Sequence, residues 1–206
     1  MPNQEKHSVD KKTLVIFDFD KTITKVDTML DLTYKSFRFS KLLGGIKILH
    51  KIIFYKLGLC SNVVAKEAFL TYFFGGMDYD KFANLSREYS LNFVDKIIKK
   101  EALDKINFYK SQGYKLIIIT SGIYEWIEPW ATKNGFTKVL ASKLEVTNNK
   151  ITGKLSGANC YGPEKVNRFI AEYGEFENFN TICFGDSKGD WDILKKSNHP
   201  FYKKYE

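Results

Sequence analysis

The spacing of apolar positions divides the chain into two regimes. Short continuous apolar runs at residues 13–17, 114–119, 139–142 and 181–184 are rich in β-branched and large side chains, and predict buried strands. From Val26 to Ser111 the spacing is helical instead, with no clear strand. Asp27 or Thr28 caps a helix through Phe37, and Ser40 caps a second over 41–57 that ends at Gly58. Ser61 caps a third through Phe73, ended by Gly75 and Gly76; Asp78 opens a fourth to about Lys96, and a fifth over 100–111 stops at Gly113. After Gly113 strands and helices alternate. Helices are expected over 124–133, from Gly162-Pro163 to Tyr173, and over 190–196. A hairpin joins 144–146 to 151–155 through Asn148-Asn149, and Phe201-Tyr202 forms a last edge strand. Alternation of this kind predicts an α/β fold: a doubly wound parallel sheet, Rossmann-like, built from residues 1–24 and 113–206. Residues 25–112 are then an inserted all-helical domain, and the polar first twelve residues form a loose tail.

The first strand ends in Asp18-Phe19-Asp20-Lys21-Thr22. Period-two geometry places Asp18 and Asp20 on one side of an extended chain. Two like charges at the end of a buried strand are costly unless neutralised. Hard oxygen donors favour Mg²⁺, and through Mg²⁺ a phosphate. In open parallel sheets ligands sit beyond the carboxyl ends of the strands. Thr120 follows a second strand, with Ser121 and Gly122 after it. Gly185-Asp186 follows another, and Lys165 lies near a helix start after the Gly162-Pro163 turn. These residues supply carboxylates for a cation, a hydroxyl and amides for phosphate oxygens, and a lysine to balance charge.

Composition narrows the partners. The formal net charge of +8 over 206 residues comes almost wholly from lysine, since only Arg38, Arg87 and Arg168 are arginines. That balance suits phosphorylated substrates or an acidic lipid surface, and equally a set of solvated lysine faces. Nucleic acid is excluded: no basic run is interleaved with aromatics in a binding motif, and the acidic cluster would repel a phosphate backbone. Cys60, Cys160 and Cys183 are odd in number and lack metal-ligand spacing, which reads as reduced thiols in a cytoplasmic protein. The apolar segment 41–57 carries Lys47, His50, Lys51 and Lys56, too many charges for a spanning helix. Lys47, His50 and Lys51 share one face, with Ile46, Leu49, Ile52 and Ile53 turned away. Such a helix either packs on its neighbours or lies in a membrane interface, giving a peripheral membrane contact.

Four pieces, taken in order, resemble the haloacid dehalogenase superfamily in its phosphoserine-phosphatase-like branch, which carries a helical cap after the first motif. Asp18-Phe19-Asp20-Lys21-Thr22 matches the DxDxT motif. Ile117-Ile118-Ile119-Thr120 matches the apolar strand ending in a hydroxyl residue. Lys165 stands in a G-x-x-K setting, and Gly185-Asp186-Ser187-Lys188-Gly189-Asp190 matches the GDSxxD motif. The resemblance implies a Mg²⁺-dependent phosphatase that hydrolyses a phosphomonoester through an aspartyl-phosphate. Asp18 would be the nucleophile and Asp20 the general acid and base, with a pKa raised by neighbouring charge. Mg²⁺ would be held by the Asp18 carboxylate, the Asp20 carbonyl and Asp186. Asp190 would orient Lys165 or a metal-bound water. Thr120, Lys165 and the Ser121 and Gly122 amides would hold the phosphate. Asp27, nine residues after Asp18, takes the place of a cap acid that reads the substrate. The cap arginine has only Arg38 or Arg87 as candidates. The substrate is expected to be a phosphoserine-like metabolite or a lipid phosphate, the latter suggested by the character of 41–57. A catalytically silent protein of this fold that docks on a membrane or partner is the alternative.

Overall fold

The structure, a computed structural model, describes residues 13–37, 43, 45, 53, 54, 57–59 and 61–204. The predicted helix over 41–57, Arg38 and Cys60 therefore lie wholly or mostly outside the described residues. Five parallel strands form the central sheet, in the order β3-β2-β1-β6-β7. They are β1 (Thr13–Phe17), β2 (Lys115–Ile123), β3 (Lys138–Ser142), β6 (Asn180–Gly185) and β7 (His199–Tyr202). All three neighbour pairs of β1 and β6 run parallel, with Phe17 beside Ile118 on one side and Phe184 on the other. The strand order reverses direction of growth at β1, so the carboxyl end of β1 opens onto a crevice.

Every residue of β1 is buried, as a central strand covered on both faces must be. Val15 and Phe17 point to one face and join a cluster with Phe69, Phe74, Phe82 and Trp126. Leu14 and Ile16 point to the other, toward Phe169 and Ile193. The first cluster is supplied by the helix after β2, which carries Trp126 and Trp130, and by the described helices inserted between β1 and β2. These are α1 (Thr28–Ser36), α2 (Asn62–Phe74), α3 (Tyr79–Asn92) and α4 (Lys100–Ser111). The second is covered by α6 (Pro163–Tyr173) and α7 (Trp191–Lys196), while α5 (Tyr124–Lys133) follows β2.

Local chemistry sets the helix ends. Asp27, not Thr28, is the N-cap of α1, accepting from the Leu30 amide at 3.1 Å. Ser61 caps α2 through the Val64 amide, and Asp78 caps α3 through the amides of Asp80 and Lys81. The expected helix from Asp78 to Lys96 is shorter: it stops at Asn92, and Val94–Ile97 forms a 3₁₀ turn. Trp130 locks this break, its indole donating to Asp95 at 2.7 Å and its amide accepting partner being Ser90 Oγ at 2.9 Å. Strand β2 is longer than expected, running through Thr120 to Ile123, with a register irregularity between those two residues. Asp190 ends a 3₁₀ turn before α7 rather than opening the helix.

The hairpin of β4 (Leu144–Thr147) and β5 (Lys150–Leu155) turns at Asn148 and Asn149, both with positive φ. It leaves the main sheet and clasps the inserted helices. Gly76 N–H donates to Ile151 O at 2.8 Å, and Ile151 N–H to Met77 O at 2.8 Å. Gly153 has φ +88°, and a Cβ there would stand 2.2 Å from Thr71 Cα. Only glycine permits that approach of β5 to α2. Among the described residues no helix is long and apolar enough to cross a membrane.

Candidate active site

The chain leaves β1 at Phe17 and turns. The Asp18 amide still pairs with Phe184 O at 2.9 Å, but Lys21 takes the left-handed conformation, φ 61°. Both carboxylates lie beyond the end of the strand, and they take different partners. Asp18 keeps the parity of Ile16 and meets α6, where Lys165 Nζ donates to its Oδ1 at 2.6 Å. Asp20 lies in the turn and faces α1, its Oδ1 accepting from the Thr28 amide at 2.8 Å.

Lys165 is 2% exposed, an unfavourable place for an ammonium unless it is fully paired. Its second carboxylate is Asp190 Oδ1, at 2.5 Å. Burial disfavours the charged lysine, but Asp18 and Asp190 outweigh that and hold its pKa above the ordinary range. Asp190 is held from its other side, with Oδ2 accepting from the Ser187 amide at 2.9 Å and the Ser187 hydroxyl at 2.8 Å. Burial raises its pKa, yet Lys165 and Ser187 overcome this and keep it low. Gly185 makes the arrangement possible, because a Cβ there would stand 2.5 Å from Asp190 Cβ. Lys154, by contrast, is exposed on β5.

Asp186 completes the acidic group. Thr22 Oγ1 stands between it and the nucleophile candidate, 3.0 Å from Asp186 Oδ1 and 3.3 Å from Asp18 Oδ2. One carboxylate oxygen each from Asp18, Asp186 and Asp190 fall within 4.8 Å of one another. Three carboxylates face one ammonium. Burial pushes Asp18 up to about 7 against the pull of Lys165, and Asp190 and Asp186 add to the rise. The uncompensated negative charge and the all-oxygen donor set fit a hard divalent cation. Since the Asp190 carboxylate is occupied by Lys165 and Ser187, Asp18 and Asp186 have the freer donor atoms.

Asp20 differs. Burial pushes it up to about 8, and the nearby Asp27 carboxylate adds to this, while the hydrogen bonds of Thr28 oppose it. Burial is thus the larger cause, rather than neighbouring charge alone. Across the crevice Thr120 is fully buried, and its Oγ1 accepts from the Gly122 amide at 3.1 Å. The Gly122 amide is occupied there, which leaves the Thr120 proton for a ligand.

A cavity of about 340 Å³ opens beside Asp20, walled by Met29, Leu30, Phe69 and Trp126, with Asp27 and Lys66 among its polar groups. Arg87 is exposed on α3 and is brought to no site residue. The cation that the inserted helices do deliver is Lys66 of α2, which the sequence reading missed. Its ammonium donates to the Ser121 carbonyl and, at 2.9 Å, to Asn159 Oδ1. Burial lowers its pKa to about 8, despite the opposing pull of Asp20 and Asp27. Asn159, also missed, donates to Asn62 Oδ1 at 3.1 Å and accepts from Ser142. A lysine among many on a helix carries no mark of its own. Only its position four residues after Asn62, with Ala65 and Phe69 beside it, aims it inward.

Comparison with known proteins agrees with this architecture. Protein CicA of Caulobacter vibrioides is 25% identical over 193 residues, covering 92% of this chain and 85% of CicA. A phosphoserine phosphatase of Methanocaldococcus jannaschii is 23% identical over 199 residues, covering 91% of this chain and 83% of that protein. Among solved structures, a protein of unknown function from Bordetella pertussis Tohama I superposes with a TM-score of 0.76 at 18% identity, covering 92% of this chain and 89% of that one. A phospho-aspartyl intermediate analogue of phosphoserine phosphatase superposes with a TM-score of 0.61 at 19% identity, covering 91% and 84%. The model of haloacid dehalogenase-like hydrolases matches residues 15–195, and the chain belongs to that family.

Proposed function

We propose that the chain is a Mg²⁺-dependent phosphomonoesterase working through an aspartyl-phosphate on Asp18. The observation that carries this reading is the separation of two carboxylates that are neighbours in sequence. Asp18 is paired with the buried Lys165 ammonium, whereas Asp20 is held near neutrality by burial and Asp27. Environments that set two carboxyls apart assign the nucleophile and the acid.

An Asp18 oxygen bonds to phosphorus as the ester P–O bond breaks, and Asp20 gives its proton to the departing oxygen. Asp20, now a carboxylate, takes a proton from the water that hydrolyses the acyl phosphate. Lys165 offsets charge on the phosphate and on Asp18, Asp190 keeps Lys165 in place, and the Thr120 hydroxyl donates to a phosphate oxygen. Asp18, the Asp20 carbonyl and Asp186 would hold Mg²⁺, with Asp190 beside them. When bound, the cation keeps Asp18 ionised and offsets repulsion between the nucleophile and the phosphate dianion.

We read residues 25–112 as the substrate-selecting cap over a core of 1–24 and 113–206. The cavity volume of about 340 Å³ suits a metabolite-sized leaving group. Asp27 and Lys66 offer it one negative and one positive contact, which favours a zwitterionic ester of the phosphoserine type. The relatives named phosphoserine phosphatase support that choice.

The test is phosphate release with and without Mg²⁺ across phosphoserine, other small esters, nucleotides and phosphatidylglycerophosphate in detergent. Asp18→Asn serves as the blank. Release from a small ester that vanishes in Asp18→Asn is the expected result. Preference for the lipid would move the substrate to a membrane and give the 41–57 segment an interfacial role. No Mg²⁺-dependent release from any ester would overturn the reading in favour of a silent binding protein.

A further inference from the structure

Asp20 lies beyond the end of β1, so the sheet does not aim its carboxyl. The first residue of α1 does. Thr28 N–H is one of the helix-start amides without an acceptor inside the helix, and it donates to Asp20 Oδ1 at 2.8 Å. The Thr28 side chain adds to the pull that lowers the pKa of the same carboxyl. Its direction is fixed from behind: the Trp126 indole N–H donates to Thr28 Oγ1 at 3.1 Å. An indole nitrogen can only donate, so Thr28 Oγ1 accepts there and keeps its own proton for Asp20. Thr28 and Trp126 are both fully buried, so solvent does not compete for the bond between them.

The two oxygens of Asp20 are thereby distinguished. Oδ1 is tied to Thr28. Oδ2 is turned toward the phosphate cradle: a Cβ on Gly122 would stand 3.3 Å from it and 3.5 Å from Thr120 Oγ1. We propose that Thr28, backed by Trp126, is the positioning residue that aims Asp20 Oδ2 at the leaving-group oxygen, so that the seating of α1 on α5 is part of the acid step. This rests on the phosphatase reading above. In the step, Asp18 bonds to phosphorus, the ester P–O bond breaks, and the Oδ2 proton passes to the departing oxygen to give a neutral alcohol. The carboxylate left on Asp20 is stabilised by the Thr28 amide and hydroxyl. Sequence spacing gives no hint of this, since Thr28 reads only as a rival cap to Asp27.

The experiment compares kcat/KM for an alkyl phosphomonoester, whose alcohol needs a proton to leave, with that for p-nitrophenyl phosphate, whose phenolate does not. The quantity reports steps only through transfer to Asp18. Thr28→Val is expected to lower the alkyl value by about tenfold and to leave the aryl value within about twofold; in Trp126→Phe, which also alters the cavity wall, the alkyl value is expected to fall about threefold more than the aryl value. Thr28→Ser, which keeps the hydroxyl, is expected to match the parent on both esters. The inhibition constant of inorganic phosphate is expected to be unchanged throughout. Retained aryl turnover also certifies the fold of each variant, and should Thr28→Val fail to fold, Trp126→Phe carries the same comparison. Equal losses on the two esters, or no loss on the alkyl ester, would overturn the proposal while the phosphatase reading stands. Hydrolysis of neither ester by the parent protein would remove both.

Discussion

The Lys66 ammonium donates to Asn159 Oδ1 across 2.9 Å, joining α2 to the loop that leads into Lys165. With its bond to the Ser121 carbonyl, this places one cation of the inserted helices against the end of β2 and the loop before α6. The inserted helices and the sheet also share one apolar cluster, and β5 is hydrogen-bonded along the turn after α2.

Removing the Lys66 charge tests its role toward substrate. Lys66→Met keeps an apolar stem of similar length. Its KM for an ester with an anionic leaving group is expected to rise by about tenfold, the scale of a lost hydrogen bond to a charged group, with kcat changed less. Steady-state kinetics checks this; an unchanged KM would confine Lys66 to joining α2 to β2 and the loop before α6.

Activity is expected to fall as pH rises through about 8, where Asp20 loses its proton. The sign follows from its role, because the acid must be protonated to serve the leaving group. Lys66 also titrates near 8, so the comparison is made in Lys66→Met, which should keep the basic limb for an alkyl ester. Asp27→Asn removes one of the charges that raise Asp20, and should move the limb to lower pH.

Asp186→Asn is expected to raise the Mg²⁺ concentration for half-maximal activity by about tenfold or more, and EDTA should abolish turnover of the parent protein. Mg²⁺ titration of the initial rate measures it. An unaltered Mg²⁺ requirement in the variant would remove Asp186 from the ligand set.

Gly153→Ala should cost about 2–3 kcal/mol of stability, because its Cβ would meet Thr71 Cα at 2.2 Å and Thr71 N at 2.5 Å. Gly157, at φ +82° with open space around it, provides the control. Its alanine variant should cost only about 1 kcal/mol, from the left-handed backbone alone. Denaturant unfolding of the two variants gives the difference directly.

The sheet was legible because its strands are buried on both faces, which demands unbroken apolar runs and punctuating glycines. The same run explains why Asp18 stands out: a carboxylate directly after Phe17 has no apolar reason to be there. Lys165 and Asp190 were legible only as members of a spaced set. The partners that set Asp20 apart from Asp18 were not legible, since they lie on separate elements, α1 for Asp20 and α6 for Asp18.

By itself, then, the sequence determined the α/β order of elements, the helical insertion and the acidic motif residues, all of which follow from short-range spacing and burial. Only the tertiary structure decided that Lys66 enters the crevice, that the hairpin clasps α2, and that Thr28 and Trp126 hold Asp20. Those are contacts between residues 98, 93 and 8 positions apart. Spacing along a chain fixes which face of an element a side chain takes, whereas the partner it meets there is set by how the elements pack.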